Sequence, residues 1–195
     1  MADVFLIVDS DLKQYSPISG NIDINKYRYL ILEVQQFLIE PVLGTKLFDK
    51  IVSDFDGDTL AGVYSTIHTD YIKPILIHQV AAEYTEMNAV LVQNGGVFRR
   101  TPENSQPATM GEVSQLAAKL RTKAQVHIQR LEDYLRKNQS NISEYTYTQN
   151  NDWDIKPHKG VNTAYGIRLS TLGKNMSGSR IEKYMWMDIW HDEGA

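Results

Sequence analysis

Residues 23–55, DINKYRYLILEVQQFLIEPVLGTKLFDKIVSDF, decide the fold class. Tyr27, Ile31, Val34 and Leu38 recur at i, i+4, i+7 and i+11, and Leu30 and Phe37 broaden the stripe. That is the period of a helix with one wide apolar face. Asp23 stands at the N-cap position, where its carboxylate can accept from an orphan backbone N–H. Pro41 has no N–H and disfavours a helical Glu40, so the helix is expected to end or kink there. Gly44 is expected to close it as a left-handed C-cap with positive φ. Thr45 is then placed to cap a second, short helix carrying Leu47, Phe48, Ile51 and Val52. Nothing in the stretch has the character of an acid, base, nucleophile or metal ligand; its residues are suited to packing.

Two further helices follow on the C-terminal side. Residues 71–94 carry Ile77, Val80, Ala81, Tyr84, Met87 and Leu91 on one face, with Thr69 or Asp70 as the cap, Pro74 in the first turn and Gly95-Gly96 as the stop. Thr109-Met-Gly-Glu112 is a capping box opening a helix to Lys137, with Val113, Leu116, Ala117, Leu120, Ala124, Ile128, Leu131 and Leu135 as its stripe. Lys119, Arg121, Lys123, Arg130, Arg136 and Lys137 make this helix the most basic element, which ordinarily marks a solvated face. Residues 95–108 read as a loop, in which Phe98, Arg99 and Arg100 are candidate partner contacts. On the N-terminal side, Val4–Val8 reads as a short strand or a docking arm, and residues 9–21 as loop. Beyond Gln139 the pattern changes. Glu144–Thr148 alternates as a short strand would, a polar Gly-containing stretch follows, and Met185, Trp186, Ile189 and Trp190 form an apolar stripe on a helical turn or two. The expected fold is mainly α: three long helices and a short one in a bundle over residues 1–139, then an extended C-terminal arm, 140–195, containing the strand and the terminal amphipathic turn.

Composition narrows the function. The chain is 42% hydrophobic and 23% charged, enough apolar material for a core, with a formal net charge of −4. A mildly acidic chain is poorly suited to gripping DNA or an anionic membrane by charge. It has no cysteine, which excludes disulfides, thiolate catalysis and cysteine zinc sites. No secretory signal or membrane span is read from it, so a cytoplasmic site of synthesis is expected. Asp54, Asp56 and Asp58 have the first three spacings of an EF-hand loop, but Thr59 and Ser65 stand where Gly and Glu are required; a solvated turn is the competing reading. His78, with Glu83 and Glu86 nearby, lacks the second histidine of a metalloprotease helix. No phosphate loop, nucleophile elbow or metal cluster is present, so no enzyme activity and no cofactor are expected.

The run Ile39, Pro41, Leu43, Gly44, Thr45, Lys46, Leu47, Phe48 resembles the opening of small helical head–tail connector (adaptor, or neck) proteins of tailed bacteriophages, most of all those of phages of the Bacteroides group. The resemblance extends loosely to about Lys137. It implies a structural virion protein of the neck, between capsid and tail, assembled in the bacterial host cytoplasm. It also implies a cyclic homo-oligomer, typically of twelve copies, docked beneath the portal protein. Such a ring prolongs the channel, passes genomic DNA without sequence-specific binding, meets no membrane and offers a platform to the next neck or tail protein. Pro41, Leu43, Gly44 and Thr45 are then the structural corner. Phe98, Arg99 and Arg100, together with Met185, Trp186, Ile189 and Trp190, are the candidate partner contacts. The alternative from the residues alone is a helical nucleic-acid-binding or regulatory interaction module.

Overall fold

The computed structural model describes residues 4–18, 27–93, 96–99, 108–146 and 154–157, with the backbone only over 91–93 and 96–99. The fold is mainly helical. In chain order the helices are α1 (Asp9–Tyr15), α2 (Arg28–Val34), α3 (Glu40–Leu43), α4 (Thr45–Asp56), α5 (Gly62–Thr66), α6 (Lys73–Asn88) and α7 (Met110–Lys137). A short 3-10 turn, Gln139–Asn141, follows α7.

Pro41 and Pro74 lie inside helical runs rather than at their ends. The chain passes from α2 to α3 through a π-helical turn, Gln35–Ile39, and from α5 to α6 through another, Ile67–Ile72. In each case the residue before the proline donates five residues back: Glu40 N–H to the Gln35 carbonyl, Lys73 N–H to the His68 carbonyl. The wider turn gives the proline ring room that a regular helix denies it. Glu40 therefore keeps helical angles, φ −56° and ψ −43°, and the expected break at Pro41 does not occur. Likewise Thr69 and Asp70 sit inside a helical run that begins at Gly62, not at a cap. The wider first turn also changes which side chains face inward. Gln35 is 3% exposed and Phe37 76% exposed, so Phe37 is not part of the buried stripe.

Helix α6 is the centre of the packing. Ile75, Leu76 and Ile77 are consecutive and all buried, as are Val80, Ala81, Ala82 and Tyr84. A helix buried on neighbouring positions has partners around it. On one flank Tyr84 meets Tyr27 edge-to-face, centroids 5.5 Å apart, and Met87 accepts from the Tyr29 hydroxyl at 3.2 Å. On the other, Arg121 of α7 reaches Glu86 at 2.6 Å and Glu83 at 3.2 Å. From α7, Ala117, Leu120, Ala124, Ile128, Leu131 and Leu135 are buried, while Leu116, expected in that stripe, is 40% exposed. Each fully buried Leu or Ile contributes roughly 1.5–3 kcal/mol. The α7 start is capped as read from the sequence: Thr109 Oγ1 accepts from Glu112 N–H at 3.2 Å, and Glu112 Oε2 accepts from Thr109 N–H at 2.7 Å.

Other expectations are corrected along the chain. Helix α6 stops at Asn88, and residues expected to continue it form an antiparallel hairpin, β1 (Val90–Gln93) with β2 (Gly96–Arg99), in register Val90 to Arg99 and Gln93 to Gly96. Residues 9–21 are not all loop, because α1 covers Asp9–Tyr15, held to α6 by Asp11 and Lys73 at 2.7 Å. The Val4–Val8 segment is neither a strand nor an arm laid on a neighbour; Leu6 and Ile7 are 1% and 2% exposed in the chain's own core. The packing also continues past Gln139: Ile142 and Tyr145 are buried, and Tyr64 donates to Glu144 at 2.5 Å. Glu144, Tyr145 and Thr146 are not in a strand. Asp23, Tyr147, Thr148 and the whole stretch after Pro157 lie outside the described residues.

Candidate assembly surfaces

The Pro41–Thr45 corner joins distant parts of the chain. Leu43 is fully buried, and Gly44 N–H donates to the Glu40 carbonyl at 2.7 Å to end α3. Gly44 has φ 80° and ψ 151°. The positive φ agrees with the sequence reading, but ψ lies far from the left-handed helical value, in an extended mirror region essentially confined to glycine. Thr45 does not cap α4 with its side chain. Instead its hydroxyl donates to Glu40 Oε1 at 2.8 Å and accepts from Ile155 N–H at 2.9 Å, while Thr45 N–H donates to the Ile155 carbonyl at 3.1 Å. A two-way bond thus ties residue 155 to residue 45. Pro157 covers Gly44 so closely that a Cβ there would lie 2.7 Å from its Cγ and Cδ. Burial raises the Asp49 carboxyl above its ordinary range, and the neighbouring Glu40 and Asp154 add to this.

A second junction holds the N-terminal segment. The Gln35 side-chain carbonyl accepts from Leu6 N–H at 2.9 Å, and its NH2 donates to the Val4 carbonyl at 3.0 Å. His68 Nε2 lies 2.8 Å from the Leu6 carbonyl and is therefore the protonated ring nitrogen. Tyr27 donates its hydroxyl to Asp9, closing α1 onto α2.

The third feature is a histidine pair in the α6–α7 seam. His78 and His127 stack with centroids 5.7 Å apart, and Nδ1 of each is buried with no hydrogen-bond partner among the described residues. Burial lowers the pKa of both; His127 and Lys123 add to this at His78, and Arg130 at His127. His68 is lowered too, chiefly by burial. A histidine with a depressed pKa binds fewer protons folded than unfolded, so its contribution falls as pH drops below about 6.5. The melting temperature is expected to fall between pH 7.5 and 5.5, and the His78→Gln/His127→Gln double variant to flatten that fall. A wild-type melting temperature constant across the window would refute this. Asp49 and Glu132, whose carboxyls burial pushes up, act in the opposite sense nearer the acid range.

Phe98 and Arg99 lie on β2, whereas Arg100, Met185, Trp186, Ile189 and Trp190 fall outside the described residues. Glu83 and Glu86 serve Arg121 rather than His78. The calcium reading fails on geometry: Asp54 is in the last turn of α4, and both its carboxylate oxygens lie 2.6 Å from Lys50 Nζ. Among the described residues no group of three or more His, Asp or Glu side chains could hold a metal ion, and no helix is long and apolar enough to cross a membrane. The Gln35 junction and the histidine pair were missed from the sequence. A lone glutamine inside an apolar stripe was the available signal for the first.

Residues 39–155 match the family described as a family of unknown function, DUF6712, and the chain belongs to it. No curated protein and no solved structure matches the chain. The matched span opens just before the corner and ends on Ile155, the residue bonded back to Thr45. The contact that closes the corner therefore joins the two ends of the family unit.

Proposed function

We propose that this DUF6712 chain is a non-catalytic structural subunit, a head–tail connector of a tailed bacteriophage that assembles as a ring beneath the portal. The observation that carries this reading is the placement of the residues shared with connector proteins. Ile39, Leu43, Gly44 and Leu47 are buried at a corner that ties the unit's ends together, so the shared motif serves architecture. A helical body closed on itself in this way can present lateral faces for cyclic contacts. An acidic net charge, −4 overall, suits a channel past which DNA must slide. In this reading the three longer helical stretches form the ring body, and residues beyond Pro157 form an arm. Its Met185, Trp186, Ile189 and Trp190 stripe anchors in a groove on the portal or the next neck protein.

Co-purification with the portal protein encoded in the same genome tests the reading. The full chain is expected to bind the portal, and a chain truncated after Ser177 to keep its helical signal and melting temperature but lose that attachment. Portal binding that survives the truncation would remove the anchor. Salt-sensitive retention on DNA without any portal binding would favour the nucleic-acid-binding module instead.

A further inference from the structure

We propose that copies of the chain join head to tail, the exposed face of α2 and its following turn in one copy seating on the exposed face of α7 in the next. The inference rests on the ring reading for its purpose, since it supplies the ring's lateral contact, but its evidence is the two faces themselves. Tyr29, Glu33 and Phe37 recur every four residues; Tyr29 is 42% and Phe37 76% exposed, with the exposed Glu33 between them. On α7, Leu116, Lys119, Lys123 and Val126 follow the 3-4-3 spacing of a helix-packing stripe. Leu116 is 40% and Val126 50% exposed, with the two exposed lysines between them.

Single exposed apolar residues are ordinary on a protein surface. Their order is what matters here. One face reads apolar, acid, apolar; the other reads apolar, base, base, apolar. At roughly 1.5 Å per residue the two spans are about 12 Å and 15 Å, so they can lie in register. Among the described residues none of Glu33, Lys119 and Lys123 is in an ion pair, and each charge is free to meet one across a contact.

The two faces also belong to helices on different flanks of α6. Tyr84 and Met87 meet α2, whereas Glu83 and Glu86 meet α7. Complementary faces so placed cannot satisfy each other within one copy. They generate a heterologous contact that closes into a ring or runs on as a filament.

Sedimentation velocity on the full chain tests the contact by exchanging its charges. Wild type is expected to associate, more weakly at high salt. Glu33→Lys alone and Lys119→Glu/Lys123→Glu alone are each expected to remain monomeric with unchanged circular dichroism. Mixed, they should assemble again, because every contact between the two variants restores opposite charges. Phe37→Ser should raise the dissociation constant by roughly tenfold or more. A monomeric wild type at the highest soluble concentration would overturn the proposal, and so would a mixture that stays monomeric. If both charge variants assemble as wild type does, these faces are not the contact. The ring reading then survives on another surface, since portal binding decides it separately.

Discussion

Gly44→Val should lower the unfolding free energy by about 2–5 kcal/mol, the sum of a strained backbone and a steric conflict. At φ 80° and ψ 151° a β-branched residue has no relaxed conformation. Its Cβ would also stand 2.7 Å from two ring carbons of Pro157, well inside van der Waals contact. The chain can escape either by rotating the 44–45 peptide or by lifting residues 154–157. Both routes break the paired bonds between Thr45 and Ile155, at 3.1 and 2.9 Å, so relief is itself costly. Urea unfolding measures the loss, and a double-variant cycle separates its parts. Pro157→Ala beside Gly44→Ala should recover the steric share and leave the backbone share. A loss below about 1 kcal/mol for Gly44→Val would mean that the corner does not hold this conformation in solution.

This corner also marks how far the sequence could be read. The need for glycine was legible, because a helix that stops at Leu-Gly-Thr calls for positive φ. The reason for ψ was not, because it depends on Ile155 and Pro157, more than a hundred residues away. Local pattern carries no information about which distant segment will lie on a corner. The sequence places Pro41 at a helix end and Pro74 in a first turn for a related reason. Pro41 and Pro74 are breakers in a regular helix, and the rule assumes that the turn before them is regular. Here the turn before each is one residue wider, as the bonds from Glu40 to Gln35 and from Lys73 to His68 record. Burial of Ile39 and Ile72 on the inner side of those turns favours an uninterrupted helix strongly enough to accept the wider geometry.

The hairpin has a signal in the sequence. Asn94-Gly95 lies between Val-Leu-Val-Gln and Gly-Val-Phe-Arg, and Asn-Gly between two short apolar runs is a strong hairpin signal. Leu91 also continues the stripe of α6, so helical period and turn chemistry compete over residues 90–93, and the turn chemistry wins. By contrast α7 was read nearly as it stands, because a capping box and six buried positions agree along one helix. What no periodicity could supply is partner choice. Leu116 and Leu120 are the same residue type four positions apart, yet one is 40% and the other 2% exposed. The stripe on a helix is wider than the neighbour it packs against, and only the position of α6 decides where the covered part ends.

Gln35→Leu should cost about 2–4 kcal/mol and act on a segment nearly thirty residues away in sequence. Gln35 is 3% exposed, and its amide takes the place of a strand neighbour for residues 4–6. It accepts from Leu6 N–H at 2.9 Å and donates to the Val4 carbonyl at 3.0 Å. Leucine fills nearly the same volume, so packing changes little; the loss is two hydrogen bonds, one of them from a backbone N–H on a residue 1% exposed. An unpaired buried donor costs roughly 1–3 kcal/mol. The cost has a ceiling, because the segment can leave instead. Leaving exposes Leu6 and Ile7, roughly 1.5–3 kcal/mol each, and deprives His68 Nε2 of the Leu6 carbonyl at 2.8 Å. Hydrogen exchange distinguishes the two responses from a general loosening of the fold. The amides of residues 5–7 should lose protection in the variant, while exchange of those of α6 and α7 should quicken only in proportion to the lost global stability. If protection at residues 5–7 is unchanged and the urea midpoint does not move, the glutamine does not hold the N-terminal segment.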